Sequence, residues 1–185
     1  MPPTPKFTKD EILNTAFKLV KRSGYSALNA RDLAKTLGTS TRPIFTAFEN
    51  MEELKKEILL KACTLFEQYK ENEISSKKYP PYKATGMAYI RFAKEEKNLF
   101  KLLFMRERSN DADDLNIVSI EKEIGMITKM FSVSNQKAEQ FHVKLWIWVH
   151  GVATMIATSY LDWDFETISA MLTDVYNGLK DGVNK

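Results

Sequence analysis

The stretch NARDLAKTLGTSTRPIFTAFEN, residues 29–50, decides the fold of this 185-residue chain. Its apolar spacing predicts two short helices joined by a tight turn, and Asn29 is expected to cap the first of them. Gly38 is expected to end that helix, because glycine takes the left-handed backbone conformation without a Cβ penalty. Ser40 is expected to cap the second helix, which Ile44 anchors in the core. This order of elements is that of a helix-turn-helix.

In a helix-turn-helix that reads DNA, the second helix enters the major groove. Arginine can hydrogen-bond guanine through two donors, and threonine or phenylalanine can contact the thymine methyl group. The outward side chains of the second helix suit these roles: Ser40, Thr41, Arg42, Phe45 and Thr46. The alternative interpretation is a surface helical hairpin without a ligand.

The segments around this motif carry the pattern of a known family. They are Ser23-Gly24-Tyr25 at the end of a first helix, Ala30-Arg31-Asp32-Leu33-Ala34, Gly38-Thr39-Ser40, Ile44-Phe45-x-x-Phe48 and Glu52-Glu53-Leu54. With these pieces, residues 8–60 resemble the DNA-binding domain of the TetR family of bacterial transcription regulators. Three positions depart from the family pattern. Thr46 stands where a phosphate-contacting tyrosine is common, Met51 stands where a phosphate-binding lysine is common, and Pro43 is unusual.

The resemblance implies a domain organisation and completes the predicted DNA-binding set. It implies an N-terminal helix-turn-helix domain of three helices in residues 1–50, and a larger helical ligand-binding and dimerisation domain in residues 51–185. It places Arg31 near the DNA phosphates, and Asn29 and Pro43 join the predicted interface. The implied partners are a palindromic double-stranded operator and a second copy of the chain.

The charge distribution agrees with a DNA-binding N-terminal end. Residues 1–50 hold eight Lys or Arg against four Asp or Glu, which gives +4, and the remaining nineteen against twenty give −1. The positive charge therefore belongs to the helix-turn-helix end, as an electrostatic footprint for phosphate requires. A chance excess of surface lysines is the alternative.

Composition and periodicity predict an all-α protein with about nine helices. The chain holds only seven Gly and six Pro, and 44% of its residues are hydrophobic. The fourth helix is expected to start at Asn50 and end near Ile74. Thr8 is expected to cap the first helix, with Glu11 completing a capping box, and Asn98, Ser134 and Asp164 are expected to cap the sixth, eighth and ninth helices. The seventh helix is predicted from a 3-4-3-4 apolar stripe: Ile117, Ile120, Ile124, Ile127 and Phe131.

The segment LWIWVHGVATMIATSYL, residues 145–161, is the most apolar part of the eighth helix. It falls short of the roughly 20 apolar residues that a membrane span needs, so no membrane partner is expected. We interpret it instead as a helix that its own domain covers on one side and a partner subunit on the other. The stripe of the ninth helix, which includes Val175, is expected to share this homodimer interface.

The segment Trp146-Ile147-Trp148-Val149-His150-Gly151 resembles a tryptophan–histidine–glycine signature in one group of TetR-family C-terminal domains, and residues 93–104 are similar to the same group. Helices four to eight also carry more large side chains than their apolar stripes use. The predicted ligand-binding residues are Phe66, Tyr89, Phe92, Phe104, Met126, Met130, Trp146 and His150. Their chemistry favours a lipophilic, neutral or cationic compound. The alternative is that they fill the core, with His150 as a hydrogen-bonded core histidine.

The sequence gives little support to an enzyme on a helical scaffold. It contains no Gly-x-Gly, and its two histidines, His142 and His150, lie two helical turns apart and cannot share a metal. Asp111, Asp113 and Asp114 lack the spacing of a calcium loop, so a solvated helix start is the simpler interpretation. No catalytic residue, metal or cofactor is therefore predicted.

The leading hypothesis is a DNA-binding transcription repressor that a small lipophilic inducer releases from its operator. The alternative is an inducer-free DNA-binding protein of the same fold, controlled by a protein partner. The single cysteine, Cys63, allows no disulfide within a chain, and the N-terminus lacks an apolar signal core. A cytoplasmic, nucleoid-associated protein is therefore expected.

Overall fold

The computed structural model describes residues 7–105 and 119–183, and this part of the chain is all-α, as predicted. It contains nine α-helices and no strand. A short 3₁₀ turn, Tyr25–Ala27, follows the first helix. The helices are α1 Lys9–Ser23, α2 Ala30–Leu37, α3 Arg42–Ala47, α4 Met51–Ser75, α5 Pro81–Glu95, α6 Lys97–Phe104, α7 Glu121–Phe131, α8 Asn135–Ala157 and α9 Phe165–Lys180.

The contacts divide the described residues into two compact units, which are described separately. The first unit holds residues 7–65 with 96–105, and the second holds residues 66–95 with 119–183. Helix α4 contributes residues to both units. The predicted functional boundary after residue 50 stays a prediction.

Local capping explains where the helices of the first unit begin. The Thr8 hydroxyl accepts from the Glu11 N–H, and the Glu11 carboxylate accepts from the Thr8 N–H, which is the predicted capping box. Asn29 caps α2 as predicted, because its Oδ1 accepts from the Asp32 N–H at 2.9 Å. The unit's core is apolar and fully covered; among its largest buried side chains are Ile12, Leu33, Ile44, Phe48, Leu54 and Ile58.

Two cap predictions in the first unit are wrong. Ser40 does not cap α3, because the helix begins one residue later, with Thr41 as its N-cap and no side-chain cap bond. Pro43 at the second helical position has no N–H to donate, and the Ile44 N–H already donates to the Thr41 carbonyl at 3.1 Å. Asn98 does not cap α6 either. Its side-chain amide donates to the Lys21 carbonyl at 3.0 Å, and so satisfies a carbonyl in the last turn of α1.

In the second unit, α5 is the most buried helix, and it packs against α7, α8 and α9. Gly86 lies in this helix where an added Cβ would stand 3.5 Å from the Leu172 side chain of α9. Ser134 and Asp164 cap α8 and α9 as predicted. The predicted stripe of α7 holds at Ile124 and Ile127, which are buried.

One other member of the α7 stripe does not fit it, and one is not tested. Ile120 is the exposed N-cap of the helix, and Ile117 lies outside the described residues. Helix α8 ends at Ala157. None of the described helices is long and apolar enough to cross a membrane.

Candidate nucleic-acid interface and ligand site

The turn between α2 and α3 is built by the chain itself. Gly38 ends α2 in the left-handed conformation, with φ +65°, and its N–H donates to the Lys35 carbonyl at 3.1 Å. The Thr39 N–H donates to the Ala34 carbonyl at 3.0 Å. Leu33 and Ile44 are fully buried beneath the two helices. This geometry fixes α3 on the unit and leaves its outer face open to solvent.

The structure places all eight predicted DNA-binding residues in the first unit, on or beside α2 and α3. Thr41 and Pro43 are half-buried, and the other six are exposed: Asn29, Arg31, Ser40, Arg42, Phe45 and Thr46. Phe45 keeps 47% of its surface exposed, although it is aromatic. A ring exposed in this way is able to contact a thymine methyl group.

The two predicted guanidinium groups belong to Arg31 and Arg42. Within the described residues neither Arg31 nor Arg42 forms an ion pair or a side-chain hydrogen bond. The adjacent carboxylate of Asp32 accepts from the Asn29 side-chain amide at 2.6 Å, and the Thr46 hydroxyl donates to the Arg42 carbonyl at 3.0 Å. Both arginine head groups are therefore available to phosphates or base edges.

The predicted ligand-binding residues fall into separate groups. Phe66, Tyr89 and Phe92 form one buried aromatic group in the second unit, with Phe66 edge-on to both of the other rings, at centroid distances of 5.7 and 5.2 Å. Met126 is half-buried on α7. Met130 is exposed on the same helix, and its Sδ accepts from the Tyr176 hydroxyl at 2.9 Å.

Phe104 belongs to the first unit, where it packs on Phe100. The other seven predicted ligand-binding residues belong to the second unit. The structure therefore brings Phe66, Tyr89 and Phe92 together, and it places Met130 on exposed surface.

Tyr89, His150 and Trp146 form a polar end to the aromatic group. The Tyr89 hydroxyl lies 2.8 Å from His150 Nδ1, and the Trp146 ring stacks on the imidazole at 4.8 Å between centroids. Burial raises the pKa of Tyr89, although a hydrogen bond with Trp146 opposes the shift. Burial lowers the pKa of His150, so a neutral imidazole faces a protonated phenol.

A second polar cluster in the same unit escaped the sequence analysis. Lys70 of α4 pairs with Glu123 of α7, with 3.1 Å between Nζ and Oε1. The Tyr82 hydroxyl lies 3.0 Å from His142 Nδ1. All four residues are buried. One feature of the sequence points to Lys70. Buried positions recur every four residues along α4, at Ala62 and Phe66, and Lys70 occupies the next position of that series.

No group of three His, Cys, Asp or Glu side chains within the described residues is arranged to hold a metal ion. The aspartates considered for such a site, Asp111, Asp113 and Asp114, lie outside the described residues. Cys63 is buried.

Comparison with protein families gives two matches along the chain. A model described as "Bacterial regulatory proteins, tetR family" matches residues 12–68. A model described as "Tetracyclin repressor-like, C-terminal domain" matches residues 82–176, which is more than half of the chain. No curated protein sequence matches it.

Three solved structures share the fold at low sequence identity. A putative transcriptional regulator of the TetR family from Vibrio parahaemolyticus is 16% identical with a TM-score of 0.64, over 92% of this chain and 97% of that one. A TetR-family member from Streptomyces coelicolor A3 is 14% identical with a TM-score of 0.57, over 89% and 95%. Apo ActR from Streptomyces coelicolor is 14% identical with a TM-score of 0.52, over 98% of each chain.

Proposed function

The chain belongs to the TetR family of bacterial regulatory proteins, and from this premise we propose that it is a repressor that a small lipophilic ligand releases from its operator. Members of this family are transcription regulators and not enzymes, and they bind DNA operators and typically form dimers. Three statements about this chain are proposals: that it is a repressor, that it forms a homodimer and that it binds a ligand.

The exposed face of α3 carries the DNA-binding part of the proposal. It presents Arg42 and Phe45 to solvent, and α2 adds Arg31 at its start. The guanidinium groups lack ion-pair partners within the described residues, so no ion pair of the protein has to break when they bind phosphate. Arg42, in the first turn of the helix, is the residue that we assign to a guanine edge, and Arg31 is assigned to the backbone.

Sequencing of genomic DNA fragments captured by the purified protein tests this assignment. We expect the captured fragments to share one inverted repeat, whose two halves are about one helical turn apart. Binding to that repeat should weaken steeply as salt rises, because phosphate contacts release counterions. Random recovery of fragments at every salt concentration would contradict a sequence-specific regulator.

An exposed apolar face on α8 supports the homodimer. Val143 and Ile147 lie one turn apart and keep 48% and 61% of their surfaces exposed. Val175 of α9 is half-buried in the single chain. If these helices pair across a two-fold axis, Val175→Asp should produce monomers at micromolar concentration in sedimentation analysis. A stable wild-type monomer at that concentration would overturn the dimer.

The aromatic group with its polar end supports the ligand part. Apolar walls with a few oriented polar groups are what small-molecule sites provide, and Tyr89 with His150 supplies a donor and an acceptor. A ligand releases DNA only if it binds the non-binding state more tightly than the DNA-bound state. A thermal-shift screen with lipophilic compounds tests this part. Stabilisation that coincides with operator release supports it, whereas the absence of any active compound favours the inducer-free alternative.

A further inference from the structure

The buried cluster around Lys70 has an uneven charge. Lys70 Nζ lies 2.7 Å from Glu67 Oε1 and 3.1 Å from Glu123 Oε1, so one ammonium group faces two carboxylates. The Lys70 and Glu123 side chains are only 7% and 8% exposed, whereas Glu67 is 35% exposed. The cluster therefore has a net formal charge of −1. Its buried carboxylate, that of Glu123, is largely removed from water.

The second oxygen of that carboxylate has no donor. Glu123 Oε2 is buried and accepts no hydrogen bond within the described part of the chain. The two polar groups of α5 and α8 that feel its charge, Tyr82 and His142, already bond each other, since the Tyr82 hydroxyl lies 3.0 Å from His142 Nδ1. Buried polar atoms in native proteins nearly always have partners, so an unpartnered carboxylate oxygen requires an explanation.

We propose that Glu123 Oε2 is the acceptor for the ammonium group of an amphipathic amine, which makes the ligand of this regulator a cation. This inference rests on the proposed function and specifies the ligand class of its second unit. A carboxylate can only accept hydrogen bonds, so its partner must donate, and the excess negative charge favours a positive donor over a neutral one. An anion is repelled by the same charge.

The surroundings of the cluster fit the apolar part of such a ligand. Phe66 lies one turn before Lys70 on α4, and the Lys70 ammonium stands 5.4 Å from the centre of its ring. Met126 lies one turn after Glu123 on α7 and is half-buried. Two of the predicted ligand-binding residues thus lie one helical turn from Lys70 and Glu123 on the same helices. Aromatic rings and a methionine accommodate an apolar body of variable shape beside an anchored ammonium group.

Calorimetric titration of the full chain with three matched probes tests the proposal. The probes are 1-naphthylmethylamine, the neutral alcohol 1-naphthalenemethanol and the anion 1-naphthoate. We expect the amine to bind at least about tenfold more tightly than the alcohol, as a charge-assisted hydrogen bond implies, and the anion to bind most weakly. Equal binding of amine and alcohol, or no binding of the amine at millimolar concentration, overturns the proposal and leaves Glu123 Oε2 as a hydrated oxygen.

Two variants locate the effect. Glu123→Gln should reduce amine binding to the level of the alcohol, whereas Glu121→Gln, an exposed change two residues earlier on the same helix, should leave it unchanged. If Glu123→Gln does not fold, the partly exposed Glu67→Gln provides the answer, because it removes the excess charge and should weaken the amine but not the alcohol. Amine binding that is insensitive to both charges overturns the proposal.

Operator binding by the wild-type chain is measured without probes in the same preparation. Failure to bind any operator counts against the proposed function, whereas failure to prefer the amine counts only against the ligand class. The two results are therefore distinguishable.

Discussion

The charged residues of the two candidate sites are placed in opposite ways. In the first unit Arg31 and Arg42 point to solvent without ion-pair partners in the described part of the chain, and the local side-chain bonds around them mainly cap helices. In the second unit Lys70 and Glu123 are buried and pair across two helices. An exposed, unneutralised cation suits a large anionic partner such as DNA, whereas a buried polar cluster suits a small partner that enters the protein. This difference supports the proposed function, in which the first unit binds DNA and the second unit responds to a ligand.

The largest effect is expected from breaking the buried pair. Lys70→Met leaves the Glu123 carboxylate buried and uncompensated, which should reduce the free energy of unfolding by about 3–5 kcal/mol. All three tryptophans, Trp146, Trp148 and Trp163, belong to the second unit. Urea unfolding followed by tryptophan fluorescence therefore measures the loss in that unit.

Lys129→Met is the matched control, because Lys129 is an exposed lysine on α7. It should change the free energy of unfolding by no more than about 0.5 kcal/mol. If the two variants unfold at the same urea concentration, the burial of Lys70 is not a structural requirement, and the contrast between the units is lost.

The next effect concerns DNA affinity in the first unit. Arg42→Ala should cost about 1–3 kcal/mol at one base position of the captured repeat and relax specificity there, because a base contact is removed. Arg31→Ala should instead weaken binding to all sequences alike and reduce the salt slope by about one, because a phosphate contact is removed. Fluorescence anisotropy with single-base variants of the repeat measures both. If neither substitution changes binding, α3 does not enter the groove.

The fold was largely predictable because helix starts are decided within a few residues. Thr8, Asn29, Ser134 and Asp164 cap the helices that the sequence assigned to them. Ser40 failed because the nearby Pro43 removes the N–H that its hydroxyl would have bonded. That interaction is also local, so the sequence contains the information that excludes a Ser40 cap.

The candidate sites were predictable to different degrees for a physical reason. The predicted DNA-binding residues lie within 18 consecutive positions of one motif, so its helical periodicity and its resemblance to a known family were enough to name them. Lys70 and Glu123 are 53 positions apart, and only the packing of α4 against α7 makes them partners. A single sequence contains no periodic signal for such a pair. It shows only that the four-residue series of buried positions on α4 ends with a charged residue, Lys70.

A smaller effect on stability separates the two cap predictions of the first unit. Asn29→Ala removes the bond to the Asp32 N–H, and should cost about 1 kcal/mol, whereas Ser40→Ala removes no cap bond and should be close to neutral. Since both residues belong to the predicted DNA interface, the measurement is thermal unfolding by circular dichroism without DNA. A larger cost for Ser40→Ala than for Asn29→Ala would contradict the observed start of α3.

The smallest effect is a pH dependence that belongs to the second unit alone. Burial lowers the pKa of His142 and of His150, and these are the only histidines of the chain. Each binds its proton more readily in the unfolded chain than in the fold, so the unfolded state takes up protons first as pH falls. The stability that the neutral histidines contribute is fully present above their unfolded pKa, near 6.5. It is lost as pH falls through that value towards the lower folded pKa.

The tryptophan-detected melting temperature should therefore decrease from pH 7.5 to pH 5. The double variant His142→Gln with His150→Gln should melt at nearly the same temperature across that range. The carboxylates whose pKa is lowered, such as Glu11 and Asp164, titrate below this window and do not obscure it. A wild-type melting temperature that rises as pH falls would mean that the histidines are charged in the fold. In that case Nδ1 of each histidine would donate a hydrogen bond to the hydroxyl oxygen of Tyr82 or Tyr89.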